Sequence, residues 1–460
     1  MSLLKTVSIL ALTLLYLCPW LQAQDDISDD LETVRDTYHL PGMMALVLKD
    51  GKIIAQGTAG VRRLGSSDPL QLSDPINIGS NTKWMTAVLA GHLVDEGLIR
   101  WDTRIRDVFP EYESFSAVFH NATLEQILAH RAGIQSGATF ESRYWTTVQQ
   151  QSGSIQEIRR WVVDTVLSDD NEVAPGEYLY SNQGYTVAAT MLELVSGKSW
   201  EALMQEYLFK PSRMGSATVG SSYESASDSG VVVGHYLTQG SDTATPVAPL
   251  GGNSALLPYQ ASTGPGGHTL TSLYDWAKWL HLQVTADLGG YLKPDTVNKL
   301  QSGYQGVEDY GLGVFSVARN WATPGPALSH SGLVFYQHSV FWLSPGRDLV
   351  IVVYSNCRSA DNSVASALDT IAGQLVSAYS SGTAEGPFIE SPGILSADRT
   401  GETLMLEYSS LPGLDYQLES SDNLSNWTPL GDASSSSQLQ SSKTTAIPDQ
   451  RTFLRIRAIP

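Results

Sequence analysis

A chain of 460 residues with 42% hydrophobic content is too long for one ordinary core and too apolar to be disordered, so two or three domains are expected. Its formal net charge of −19 would repel phosphate backbones and anionic lipid surfaces. Nucleic-acid and membrane-surface partners are thereby disfavoured, and a small-molecule or peptide partner is expected instead.

The first residues, MSLLKTVSILALTLLYLCPWLQAQDD, place Lys5 before an apolar run from Val7 to Leu17, followed by Pro19 and the small Ala23. This is the pattern of a secretory signal peptide cut after Ala23. The run is well short of the roughly 20 residues that span a bilayer. Residues 1–23 are therefore expected to leave, giving a periplasmic or extracellular protein with no membrane span. Cys18 follows Leu17 where lipid attachment requires a small residue. After cleavage only Cys357 remains, so no intrachain disulfide is expected.

Asp30 to Leu40 has helical spacing and is stopped by Pro41 and Gly42. MMALVLKDGKIIAQGTAG then reads as two strands joined at Lys49-Asp50-Gly51, a hairpin signal. In NIGSNTKWMTAVLAGHLVDEGLI, residues 77–99, the apolar residues recur at helical spacing after Gly79 and Ser80. Ser80 is thus expected as the N-cap of a helix, with Lys83 one turn along the same face. Unpaired N–H groups at a helix start favour an oxyanion, and a lysine at i+3 can help remove a hydroxyl proton. Ser-x-x-Lys by itself is a weak signal, since Ser2 and Lys5 repeat it inside the leader.

Residues 100–250 hold a run of helical stretches, TLEQILAHRAGI, SIQEIRRWVVDTVL, QGYTVAATMLELVSG and SWEALMQEYLF. Tyr-Ser-Asn occurs twice. At Tyr180 it stands in a polar loop after Pro175-Gly176 and before a helix; at Tyr354 it ends DLVIVVYSN, a buried central strand. Functional side chains are commonly presented on loops, which favours Tyr180. In GPALSHSGLVFYQHSVFWLSPGRDLVIVVYSN, the alternation from His330 to Trp342 and the run from Leu349 to Tyr354 read as two antiparallel strands turned at Ser344 to Arg347. His330-Ser331-Gly332 would lie at one end of an edge strand, with Gly332 admitting another backbone.

Ser80-x-x-Lys83, Tyr180-Ser-Asn182 and His330-Ser-Gly332, in this order and spacing, resemble the serine β-lactamase-like superfamily of class C β-lactamases, D-alanyl-D-alanine carboxypeptidases and family VIII esterases. LAHRAGI (128–134, with Ala132 in place of the usual serine), LFKPSRMG (208–215) and GPGGHTLTSLYDWAKWL (264–280) also resemble family stretches. The resemblance covers roughly residues 28–380. It implies an α/β (α+β) fold, a mixed antiparallel sheet covered by the first and last helices, with a helical subdomain at about 100–250 and the site between them. Residues 24–381 would form this hydrolase domain.

The resemblance also implies roles. Ser80 would attack a carbonyl carbon, with Lys83 and Tyr180 taking its proton, through a phenolate or a shared proton. An ordinary tyrosine pKa near 10 is too high for a base at neutral pH, and Lys83 is the cation expected to lower it. Asn182 would hold a substrate amide or place Lys83, while the N–H groups of Ser80 and Leu333, beyond Gly332, would form the oxyanion hole. β-Lactamases of this type usually carry lysine at the His330 position; histidine is about a quarter charged at pH 7. Peptidase activity like that of the D-Ala-D-Ala carboxypeptidases, or esterase activity on small acyl compounds, is therefore expected ahead of β-lactam hydrolysis. A penicillin-binding receptor that acylates without turnover is the rival. The other histidines show no metal-ligand spacing, so neither a metal nor another cofactor is expected.

SSGTAEGPFIESPG reads as a flexible linker at 382–393, and 394–460 as short alternating strands of a β-sandwich-like accessory domain. YQLESSDNLSNWTPLG resembles a C-terminal module on secreted proteins of some marine bacteria. Tyr416 and Trp427 are core residues or a ligand platform, and no ligand can be read from them.

Overall fold

The computed structural model describes residues 24–220, 231–247, 253–284, 291–306 and 309–382, and beyond them the strand segments 394–400, 403–409, 415–421, 428–430, 434–435, 440–446 and 453–459. The expected signal peptide, residues 383–393 of the expected linker, and Trp427 lie outside the described residues.

The main sheet is built from β1 (Asp25–Asp26), β2 (Gly42–Lys49), β3 (Lys52–Gly60), β4 (Asp309–Tyr310), β5 (Phe315–Val317), β6 (Ala327–Val334), β7 (Gln337–Ser344) and β8 (Leu349–Ser355), in the spatial order β1-β3-β2-β8-β7-β6-β5-β4. All neighbours are antiparallel except the short β1, which runs parallel to β3. The helices that matter for the site are α1 (Ser28–Thr37), α2 (Thr82–Asp95), α3 (Ile155–Ser168), α4 (Asn182–Ser196), α5 (Asn253–Gly267), α6 (Leu273–Leu282) and α7 (Ser363–Tyr379).

Strand side chains alternate between faces, and here both faces are covered, which explains the unbroken apolar runs of β2 and β8. Met43, Ala45 and Val47 pack with Ile351, Val353 and the apolar stripes of α1 and α7. Met44, Leu46 and Leu48 face the other way and join Val350, Val352, Trp84, Trp276 and Phe341 in the core that includes α2 and α6. Asp50 and Gly51 turn the β2–β3 hairpin with φ of 50° and 68°, as the Asp-Gly pair requires.

Between α2 and the later strands lies the expected run of helices. Ser154 caps α3 in a reciprocal box with Glu157, and Ser181 caps α4 by accepting from the Gly184 N–H at 3.0 Å. The fully buried Arg159 is neutralised by Glu193 and Glu201. The described strands after residue 393 form two further sheets. One joins Ile394–Thr400, Thr403–Ser409 and Gln440–Ala446; the other centres on Asp415–Ser421, paired with Phe453–Ile459.

Two expectations are corrected. The stretch His330–Trp342 is not one strand but a hairpin: β6 ends at Val334, β7 begins at Gln337, and Phe335 and Tyr336 make the turn with φ of 49° and 58°. Such turns normally use Asn or Gly, so two aromatic residues gave no signal. Nor is β6 a simple edge strand. Its first half, Ala327–Ser329, pairs with β5, and only the half carrying His330 to Val334 leaves one edge free of strand pairing.

Tyr354, the second Tyr-Ser-Asn tyrosine, is fully buried in β8, where its hydroxyl donates to Gln337 Oε1 at 2.8 Å. The same oxygen accepts the Asn77 N–H at 2.9 Å. Tyr354→Phe should therefore lower unfolding free energy by about 1 kcal/mol, the worth of one internal hydrogen bond, with kcat unchanged. Urea unfolding together with steady-state kinetics checks this, and a kinetic defect at full stability would contradict it.

Candidate active site

The site begins where two backbones touch. Gly79, at φ +55°, opens a 3₁₀ turn, Gly79–Asn81, that runs directly into α2. A Cβ on Gly79 would stand 2.5 Å from Leu333 N, and one on Gly332 would stand 1.9 Å from Ile78 O. Only paired glycines allow this approach, and it sets the Leu333 amide nitrogen against the turn that carries Ser80. Asn81 Nδ2 fastens the turn to β7 by donating to Ser339 Oγ at 2.8 Å and to Ile78 O at 2.9 Å.

Ser80 is not the N-cap that the sequence pattern predicts. It lies inside the 3₁₀ turn, and its hydroxyl contacts a side chain, Lys83 Nζ, at 3.2 Å. Lys83 is fully buried, and Nζ also donates to Asn182 Oδ1 and to Gly266 O, each at 2.7 Å. Burial pushes its pKa well below the usual lysine value. A neutral amine has two N–H bonds and one lone pair. With both hydrogens on the two carbonyl oxygens, the lone pair is left for the Ser80 hydroxyl.

Tyr180 lies on the loop before α4, its ring centroid 4.6 Å from Lys83 Nζ. Burial drives its pKa upward, and a hydrogen bond with Ser80 opposes this only in part. Of the two readings expected for Tyr180, a phenolate or a shared proton, burial disfavours the phenolate. The ammonium form is itself disfavoured, Nζ sits over the ring face, and the phenol keeps its proton. Tyr180 is bracketed by His130, whose carbonyl accepts from Leu179 N at 2.9 Å and whose Nδ1 accepts from Ser181 N at 3.1 Å.

His330 is placed differently from the other expected residues. It lies on β6 with its ring centroid 6.2 Å from that of Tyr180, and its nitrogens contact Tyr310 and Ser331 rather than Ser80 or Lys83. Burial, with Lys83 adding to it, lowers its pKa to about 3. The quarter charge expected at pH 7 is therefore corrected to a neutral imidazole. Ser80, Lys83, Tyr180 and Asn182 converge, Gly332 and Leu333 border them, and His330 stands behind Tyr180. A groove of about 300 Å³ between β6, β7 and α7 contains none of the four converging residues.

The sequence gives no signal for Gly266 as a Lys83 partner, although Gly264-Pro265-Gly266-Gly267 lies in a stretch that resembles the family, and none for Tyr310 beside His330. No group of three His, Cys, Asp or Glu side chains among the described residues could hold a metal ion. No helix among them is long and apolar enough to cross a membrane.

Five largely buried histidines give the fold a definite acid response. His268 and His330 are lowered to about 3, His235 and His338 to about 4, and His130 well below its ordinary value, in each case chiefly by burial. Unfolded imidazoles bind protons below about pH 6.5 and these folded ones do not. Stability is thus complete above that pH and falls as pH drops toward 4, by about 1.4 kcal/mol per pH unit for each group. Urea unfolding between pH 7.5 and 4.5, above most carboxylate titrations, should show this slope; a flat profile would contradict it.

The family model described as Beta-lactamase matches residues 27–375. Penicillin-binding protein 4 of Amycolatopsis lactamdurans is 27% identical over 182 residues, 39% of this chain and 45% of that protein. Protein flp of Staphylococcus aureus strain MW2 is 24% identical over 343 residues, 73% of this chain and 64% of that protein. The chain thus spans less than two thirds of the length of these curated relatives. Among solved structures, the D-amino acid amidase of Ochrobactrum anthropi SV3, complexed with L-phenylalanine amide, shares the fold with a TM-score of 0.56 and 17% identity, covering 75% of this chain and 98% of that one.

Proposed function

The chain belongs to the beta-lactamase family, and from that premise we propose that it is a secreted serine hydrolase working through an acyl-enzyme on Ser80. The observation that carries the reading is the Lys83 amine, held by Asn182 Oδ1 and Gly266 O with Ser80 Oγ 3.2 Å away.

In this reading Ser80 Oγ attacks the carbonyl carbon while its proton passes to the Lys83 lone pair. The Tyr180 phenol, hydrogen-bonded to Ser80, relays a proton to the leaving group as the tetrahedral intermediate collapses. The amide N–H groups of Ser80 and Leu333 receive the oxyanion, each such donor being worth about 3 to 4 kcal/mol. Water then repeats the sequence in reverse roles and frees the acid.

Substrates are small acyl compounds, esters or amides, with peptidase or esterase activity ahead of β-lactam hydrolysis. Residues 24–381 form the hydrolase, 394–460 an accessory module, and the leader 1–23 directs the protein to the periplasm or the exterior. The test is turnover of p-nitrophenyl butyrate beside labelling by a fluorophosphonate and a fluorescent penicillin. Wild type should turn over and label, and Ser80→Ala should do neither while its Tm stays within a few degrees. Labelling without turnover would replace the enzyme with a receptor.

A further inference from the structure

We propose that the groove between β6, β7 and α7 is a second ligand site, shaped for a short apolar peptide with both termini free. It is separate from the Ser80 centre, and its occupancy does not depend on the hydrolase reading above.

The groove lies behind the strand that borders Ser80. Alternation along β6 and β7 sends Leu328 and Phe341 toward α2 and leaves Ser329, Ser331, Val340 and Trp342 on the face covered by α7. Helix α7 crosses this face with Ala365, Leu368 and Asp369 lining the far wall. The space between them is about 300 Å³, at the small end of ligand pockets, which limits an occupant to a residue or two of peptide.

Two opposite charges line the groove without meeting. Asp369 makes no hydrogen bond or ion pair among the described residues, and burial raises its pKa with no nearby cation opposing the shift. Arg319, just past β5, lies over the Trp342 ring at 5.7 Å and gives Nη1 to the carbonyl of Ala318 at 2.9 Å. No carboxylate pairs with it among the described residues. A ligand carrying an ammonium and a carboxylate gives each side chain its counter-ion. A ligand with one charge leaves the other side chain unmet, and a neutral ligand leaves both.

The other groove groups are uncharged. His338 is half-buried, and no hydrogen bond reaches its ring nitrogens among the described residues. Burial, with Arg358 adding to it, lowers its pKa to about 4, so at neutral pH the ring offers one N–H and one lone pair. Ser331 adds an exposed hydroxyl. A peptide amide needs one acceptor and one donor, which this pair supplies, while Val340, Trp342 and Leu368 give apolar surface for side chains.

The test uses the full chain carrying Ser80→Ala, so that no probe is turned over, and ligand-observed NMR titration. The probes are L-leucyl-L-leucine, its C-terminal amide, which lacks the carboxylate, and its N-acetyl form, which lacks the ammonium. The dipeptide should bind saturably, and each analogue about 10-fold more weakly, the scale of one charge-assisted contact at a partly exposed site. Asp369→Ala should weaken the dipeptide to the level of the N-acetyl form, and Arg319→Ala to the level of the amide. Both side chains are exposed, so both variants should fold as the parent does. No saturable binding overturns the site. Binding that neither variant changes places the peptide elsewhere on the chain and overturns it too, and analogues that bind as tightly as the dipeptide overturn the assignment to a peptide with free termini.

Discussion

Lys83→Met should leave a folded protein whose kcat/KM is lower than wild type by about 100- to 10,000-fold, the usual contribution of a positioned general base. Methionine keeps the length of the buried stem and removes the amine that faces Ser80 Oγ, Asn182 Oδ1 and Gly266 O. The two carbonyl acceptors lose a donor, at about 1–3 kcal/mol each, while the cost of burying the amine disappears, so the two effects on stability oppose. The pH profile gives the sharper readout. The free amine is the reactive form, and burial brings its pKa well below the ordinary lysine value. Wild-type activity should therefore fall as pH drops through that lowered pKa. The acid limb should vanish in Lys83→Met. Wild-type rates in the variant would remove Lys83 from proton transfer.

Gly332→Ala should be the most damaging single-methyl change at the site. The added Cβ would lie 1.9 Å from Ile78 O and 2.8 Å from Asn81 Nδ2, far inside contact distance. β6 must move away from the Ser80 turn, and the Leu333 N–H moves with it. Loss of one oxyanion donor lowers kcat by about 100- to 1,000-fold. Gly373→Ala is the control: on α7, nothing lies within 4 Å of the new methyl. Alanine there should hold or raise stability by about 0.5–1 kcal/mol, because helical glycine is the poorer residue. Kinetics and thermal melts of the two variants check the contrast, and equal activity in both would show that the Gly332 contact does not set the oxyanion site.

The sequence made much of this scaffold legible because the signals were local. Asp50-Gly51 marked a hairpin by its backbone preference, the apolar run of β8 marked a strand covered on both faces, and helical spacing marked α2, α3 and α4. What stayed hidden depended on tertiary contact. Helix α5 contains Pro258 and Pro265 and ends in a Gly264-Pro265-Gly266-Gly267 stretch, so its local signals argue against helix. Its Gly266 carbonyl nevertheless reaches Lys83, 183 residues away in sequence.

The site divides along the same line. Ser80, Lys83, Tyr180 and Asn182 were visible as residue types at telling positions, but their protonation was not, because burial decides it. An imidazole read as a partial cation is pushed toward its neutral form by burial, with Lys83 adding to it. The Lys83 amine, read as a cation beside Tyr180, has its charged form disfavoured by burial. Tyr310 itself carries no local signal; its hydroxyl meets His330, 20 residues away in sequence, only in the folded chain.

The central claim is that Ser80 becomes acylated. Incubation with a fluorophosphonate, followed by intact mass measurement and peptide mapping, tests it most directly. The account predicts a single adduct per chain on the peptide containing Ser80, absent from Ser80→Ala. An adduct on any other serine, or p-nitrophenyl butyrate turnover by Ser80→Ala at the wild-type rate, would contradict it.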